Sequence, residues 1–218
     1  MKRILISSPI FVLALFFAMG LTRMKFQATK DNYWLKKCDG DRCGYVDRSG
    51  KTRIRLGKYY MVFTDTFRTM AIVLDTGFIG INKNCKKMFN IFCFDNGPDD
   101  VSEGLFRITD SPNVLHQKIG FAKLTGEIVI PDTLDFAYPF SEGLSAYCEG
   151  CVTKFDKYGE HTYSKGGKWG YINKSGEIVI KPQFDWAYSF SNDTAWAGLD
   201  STNCYIDKTG KILKTWKK

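Results

Sequence analysis

Lys168-Trp-Gly-Tyr-Ile-Asn-Lys-Ser-Gly-Glu-Ile-Val-Ile-Lys-Pro-Gln-Phe-Asp-Trp-Ala-Tyr-Ser-Phe-Ser191 decides the fold, because the chain has already written it once. Moved back by fifty residues, this stretch falls without a gap on Lys118-Ile-Gly120, Gly126-Glu-Ile-Val-Ile130 and Asp135-Phe-Ala-Tyr-Pro-Phe-Ser141. Self-similarity on this scale is the mark of a repeat architecture, in which each unit buries its apolar face only against its neighbours.

Within the unit, Trp169 to Ile172 reads as a short strand of large apolar residues. Asn173-Lys-Ser-Gly176 reads as a turn, with glycine where a positive φ is needed. Ile178 and Ile180 alternate with Glu177, Val179 and Lys181, as in a half-buried second strand. Pro182, which has no N–H for a ladder, is expected to end that strand. Thr194 to Leu199 supplies a third, so each unit is expected to be a hairpin plus a return strand. A lone hairpin is marginal in water. The bulky side chains at Trp169, Ile119 and Phe78 are therefore expected to plug the gaps between units, each worth roughly 1.5–3 kcal/mol when buried. Gly170 and Gly120 follow them where a ring or backbone comes close, and Phe140 and Phe190 complete the core set. Asp135 and Asp185 are expected to cap backbone N–H groups in the following loop.

Weaker copies flank the pair. Cys43-Gly-Tyr-Val-Asp-Arg-Ser-Gly50, Phe78-Ile-Gly-Ile-Asn-Lys-Asn84 and Asn203-Cys-Tyr-Ile-Asp-Lys-Thr-Gly210 repeat the opening strand and turn, and Val101-Ser-Glu-Gly-Leu105 repeats Phe140-Ser-Glu-Gly-Leu144. The starts at Cys43, Phe78, Ile119, Trp169 and Asn203 give about four units and a terminal half unit. The expectation is an all-β fold of tandem antiparallel hairpin or meander repeats over 43–218, stacked in an open or propeller-like array. An insertion occupies 148–167, and a segment at 21–42 precedes the array. The composition agrees: 17 Phe, 11 Tyr and 5 Trp are interleaved with 20 Gly, a mixture that favours strands and turns.

The chain opens differently. Met1-Lys2-Arg3 is basic, and Ile4 through Leu21 is uncharged and largely apolar. This reads as a hydrophobic helix serving as a cleaved signal over 1–20, with Ala18-Met-Gly20 as the small-residue site, or as an uncleaved anchor over 4–21. Basic residues on both sides leave the orientation open. No cysteine stands near the end of the run, which argues against a lipoprotein. Export to a periplasmic or extracellular space is expected. The net charge of +8 falls to +6 if Lys2 and Arg3 leave with the segment.

Trp-Gly-Tyr-Ile-Asn-Lys-Ser-Gly followed by Glu-Ile-Val-Ile-Lys-Pro-Gln-Phe-Asp and Phe-Ser resembles the bacterial WG-repeat family. The resemblance is strong over 118–198 and weaker over 43–110 and 203–213. One unit alone carries the Trp-Gly pair, and Asp193-Thr194 stands where the family has Gly-Leu. The resemblance implies a β-rich repeat module, often on exported proteins, and implies no reaction.

In an oxidising compartment the seven cysteines favour disulfides. Cys148-Glu-Gly-Cys151 and Cys38-Asp-Gly-Asp-Arg-Cys43 are each read as a local structural bridge. Redox chemistry and metal ligation stand as alternatives for the first pair, and a joint zinc site for all four. Cys85 and Cys93 can bridge neighbouring strands, which would leave Cys204 odd. Asp39-Gly-Asp41 lacks the remaining ligands of a calcium loop. Alternation places Lys51, Arg53 and Arg55 on one strand face, a basic stripe for phosphates or acidic glycans, or a solvated edge. His116 and His161 accompany no nucleophile motif, and Glu103 and Glu142 recur because the repeat recurs. No catalytic residue, cofactor or metal is expected. The expected function is a non-enzymatic module for protein–protein interaction in the bacterial envelope. A binding module for anionic polysaccharide or lipid headgroups is the first alternative, and a thiol–disulfide protein using Cys148 and Cys151 the second. Nucleic acid is not an expected partner, and membrane contact is expected only through the N-terminal segment.

Overall fold

The computed structural model describes residues 32–217, and they are all-β. The signal or anchor and its helix lie outside the described residues. Five hairpins carry the fold, one at each repeat start. Their strands are Arg42–Asp47 with Thr52–Ile54, Phe78–Asn82 with Lys87–Ile91, Ile119–Ala122 with Ile128–Leu134, Lys168–Asn173 with Ile178–Phe184, and Thr202–Ile206 with Ile212–Lys217. The register is common to all five: Tyr45 faces Ile54, Gly80 faces Phe89, Phe121 faces Ile130, Tyr171 faces Ile180 and Tyr205 faces Lys214. The turns share a device as well. The first residue's side-chain oxygen accepts two backbone N–H groups in four of them, from Ser49 and Lys51 to Asp47, Asn84 and Lys86 to Asn82, Ser175 and Glu177 to Asn173, and Thr209 and Lys211 to Asp207. Each turn closes on a left-handed residue, glycine at 50, 126, 176 and 210, and Cys85 in the second hairpin.

Two expectations are corrected. The return strand does not join its own hairpin. Ala195–Leu199 pairs with Trp186–Ala187 on one side and with Thr202–Ile206 of the next hairpin on the other. Likewise Leu144–Glu149 pairs with Phe136–Ala137 and with Lys168–Asn173. Each four-stranded meander thus takes two strands from one repeat and two from the next. Pro182 does not end its strand, which runs Ile178–Phe184. It sits where the register slips between Trp169 and Tyr171, on the outermost strand, where a missing N–H removes no ladder bond. Gly170 explains the slip. A Cβ there would strike the Ile180 carbonyl and the backbone of Lys181 and Pro182, and one at Gly120 would strike Ile130 and Asp132. The close approach is therefore by backbone.

The strands form a four-stranded sheet, a seven-stranded sheet and two further four-stranded sheets, with small ribbons at 93–98 and 152–165. The first sheet takes in Trp34–Asp39 and the short Thr66–Phe67 strand, so strand structure begins ahead of Cys43. In the seven-stranded sheet the second and third hairpins are joined through Lys87–Ile91 and Phe106–Thr109. Four apolar clusters separate the five hairpins in order, centred on Tyr45 and Phe67, on Phe89 and Phe106, on Phe121 and Phe140, and on Tyr171 and Phe190. Ile119 and Trp169 are both buried. In each case one face brings rings and the receiving face brings small residues such as Ala71, Ala137, Ala187 and Ala197. Tyr45 and Tyr171 satisfy their hydroxyls by donating to the Thr64 and Tyr188 carbonyls, at 2.7 and 2.8 Å. Burial pushes both phenols up, so they remain donors.

Polar groups stitch successive sheets. Ser102 Oγ donates to the Phe140 carbonyl at 2.6 Å and Ser141 Oγ to the Phe190 carbonyl at 2.7 Å. The Glu103 carboxylate accepts the Gly143 N–H and pairs with Lys174, and that of Glu142 accepts the Asp193 N–H and pairs with Lys208. Asp135 and Asp185 do cap backbone N–H groups, but distant ones. They accept from Gly150 and Asp200, each fifteen residues on, while Lys118 and Lys168 hold the other oxygen. A buried pair, Arg107 with Asp99 at 2.6 Å, adds a bond from Arg107 to the Ala137 carbonyl and places the guanidinium 3.9 Å from the Phe92 ring centre.

Candidate functional site

The last sheet exposes the face that the sheet before it buries. Alternation puts Ala195, Ala197, Cys204 and Ile206 inward, where they join the final cluster. The other face carries Trp186, Tyr188, Trp196, Gly198, Asn203, Tyr205, Lys214 and Trp216. The corresponding face of the preceding sheet holds Phe136, Tyr138, Ala146, Trp169, Tyr171, Ile180 and Phe184, packed in the core. On the last sheet Tyr188 is 48% exposed, and Trp196 and Tyr205 are each 42% exposed.

The rings form a row. Tyr188 and Trp196 lie nearly parallel at 5.5 Å, and Trp196 and Trp216 at 6.5 Å. Trp186 meets Trp196 edge-on at 5.0 Å, and Tyr205 is 5.0 Å from Trp216. Gly198 makes room for Trp186, since a Cβ there would strike the indole. Asn203 pairs in register with Gly198 and Trp216, is buried, and its Oδ1 has no hydrogen-bond partner. Lys214 faces Tyr205 across the strand pair and is exposed. A small cleft of about 90 Å³ adjoins Trp186 and Gly198. A ridge of stacked apolar rings beside one ammonium can hold an elongated amphipathic ligand.

The residues singled out from the sequence lie elsewhere. Lys51, Arg53 and Arg55 are all exposed, but only Arg53 lies within a strand. The strand is only Thr52–Ile54, Thr52 is exposed rather than turned inward, and Arg53 is engaged by Asp47 at 2.8 Å. The Asp47 carboxyl is held down at about 2, first by the Ser49 hydroxyl. Cys38–Cys43 and Cys148–Cys151 are disulfides, the first joining facing positions of one hairpin. Both sulfur-bearing residues of the second are buried, with Gly166 and Gly167 packed against them, which denies the access that thiol exchange requires. Cys85 and Cys93 do not bridge, and with Cys204 they are free thiols. Trp169, Gly170, Ile119, Gly120, Phe140 and Phe190 are all interior residues. Sequence reasoning missed the terminal ring row because most of these positions carry interior rings one unit earlier, Phe136, Tyr138 and Tyr171 among them. The available signal was the polar pair Asn203 and Lys214 standing where Trp169 and Ile180 stand one unit earlier.

Stacked antiparallel meanders built from a staggered repeat define the class: a β-repeat protein. The chain carries the WG containing repeat at two places, where the family model matches residues 119–150 and 169–201. Both matched segments run from the next-to-last strand of one sheet to the second strand of the next. No curated protein matches the chain.

Proposed function

We propose that this chain is an exported, non-enzymatic repeat module of the bacterial envelope that holds a macromolecular ligand on an open array of stacked sheets. The observation that carries this reading is the exposed ring-bearing face of the last sheet. Contiguous exposed aromatic surface on a soluble protein marks an interaction site. Export rests on the basic start and the uncharged apolar run that follows it. Two ligand classes compete: an envelope protein, and an anionic polysaccharide or lipid headgroup. The basic stripe offers the second class less than its sequence suggests, since Arg53 is already paired. The thiol–disulfide alternative is disfavoured by the burial of Cys148 and Cys151. Hydrogen exchange of the full chain with and without envelope extract tests the reading. Protection confined to residues 186–216 is expected. No protection anywhere, or protection centred on 51–55, would refute the placement.

A further inference from the structure

We propose that the ring row of the last sheet binds a polysaccharide chain bearing carboxylate groups, an inference that rests on the reading of the chain as a binding module. A face that merely met water would carry polar residues, as capping repeats do. Here Trp196 replaces the small Ala146 of the preceding sheet, and Tyr188, Tyr205 and Trp216 keep their rings. The area decides what covers them. At roughly 150–250 Å² per aromatic side chain, the exposed fractions amount to about 300 Å². A stable protein interface needs about 800 Å² per partner. A narrow chain is served by the smaller patch. The stacked Tyr188, Trp196 and Trp216 turn their faces to one another and their edges outward, a continuous apolar ridge along which the C–H faces of a sugar chain can lie.

The polar groups complete the match. The Asn203 Oδ1 has no partner but lies fully buried between Gly198 and Trp216, so it gives the face a polar floor without touching a ligand. Lys214 stands where the preceding sheet has buried Ile180, and an ammonium beside Tyr205 selects a carboxylate. The cleft beside Trp186 and Gly198 has room for a single substituent.

The test is titration of the full chain, followed by tryptophan fluorescence, with oligogalacturonate, alginate and hyaluronan oligomers, and with methyl-esterified oligogalacturonate as the uncharged control. Binding to at least one acidic oligomer is expected. Trp196→Ala should weaken it at least tenfold and Lys214→Gln about fivefold, with the loss on Lys214→Gln absent for the esterified control. Arg53→Gln should change nothing. Melting temperatures of the variants distinguish lost binding from lost folding, and Lys214→Gln alters no packed residue. No response to any acidic oligomer, or binding that survives both Trp196→Ala and Lys214→Gln, overturns the proposal. Protection of 186–216 by envelope extract without glycan binding would overturn it while leaving the binding-module reading intact.

Discussion

Arg107 shows how much a single side chain can carry in a stack of sheets. Its guanidinium is buried, meets both Asp99 oxygens, donates to the Ala137 carbonyl of the following sheet and lies over Phe92. Removing one partner of such a pair strands the other charge in the interior. Arg107→Ala should therefore lower unfolding free energy by about 3–5 kcal/mol, while Arg107→Met with Asp99→Leu should recover most of that loss. Chemical denaturation of the three proteins checks it. Gly170 is a second such residue. Gly170→Ala must displace the Ile180–Pro182 backbone and should destabilise at the upper end of the ~1–3 kcal/mol range for overpacking. The sequence made Gly170 legible, because a glycine after a bulky strand residue recurs. Arg107 and Asp99 were not legible, because they stand eight residues apart across the Ser102–Leu105 turn and nothing local announces their meeting.

At the scale of elements, the stitching carboxylates make stability depend on pH. The Glu103 carboxyl is held below its usual range, first by Lys174, and that of Glu142 first by the Asp193 N–H. A depressed folded-state pKa contributes stability that is whole above the unfolded value, near ~4.3, and is lost as pH falls through the folded value. Melting temperature should therefore be level from pH 7 to 5 and fall below about pH 4. Glu103→Gln with Glu142→Gln should flatten part of that fall. The Cys148–Cys151 bridge closes a very small loop, so replacing both by Ser should cost toward the low end of the ~0–5 kcal/mol range. Exchange should quicken in 148–167 and stay unchanged in the flanking sheets. Hairpin existence was readable from alternation and from the turn residues, while the register slip opposite Gly170 was not. The pairing of Ala195–Leu199 was not, because alternation fixes which side chains point inward and is silent on which strand lies alongside.

For the whole molecule, the boundary of a repeat and the boundary of a sheet fall at different residues. A chain ending at Ser201, the close of the second matched segment, keeps Trp186–Ala187 and Ala195–Leu199 but loses the hairpin they pair with. Two such strands are marginal alone. Residues 185–201 should then exchange as freely as in an unfolded chain, and protection of 185–201 in that product would contradict the staggered assembly. The terminal face was illegible for a related reason. Tyr205 reads like Tyr171, and only the lack of a further sheet among the described residues leaves it in solvent. The stagger also bears on ancestry. A duplicated segment cut at repeat boundaries brings the last two strands of one sheet and the first two of the next, so each half finds its complement wherever the copy lands. Lengthening by copying thus leaves no raw edge at the splice.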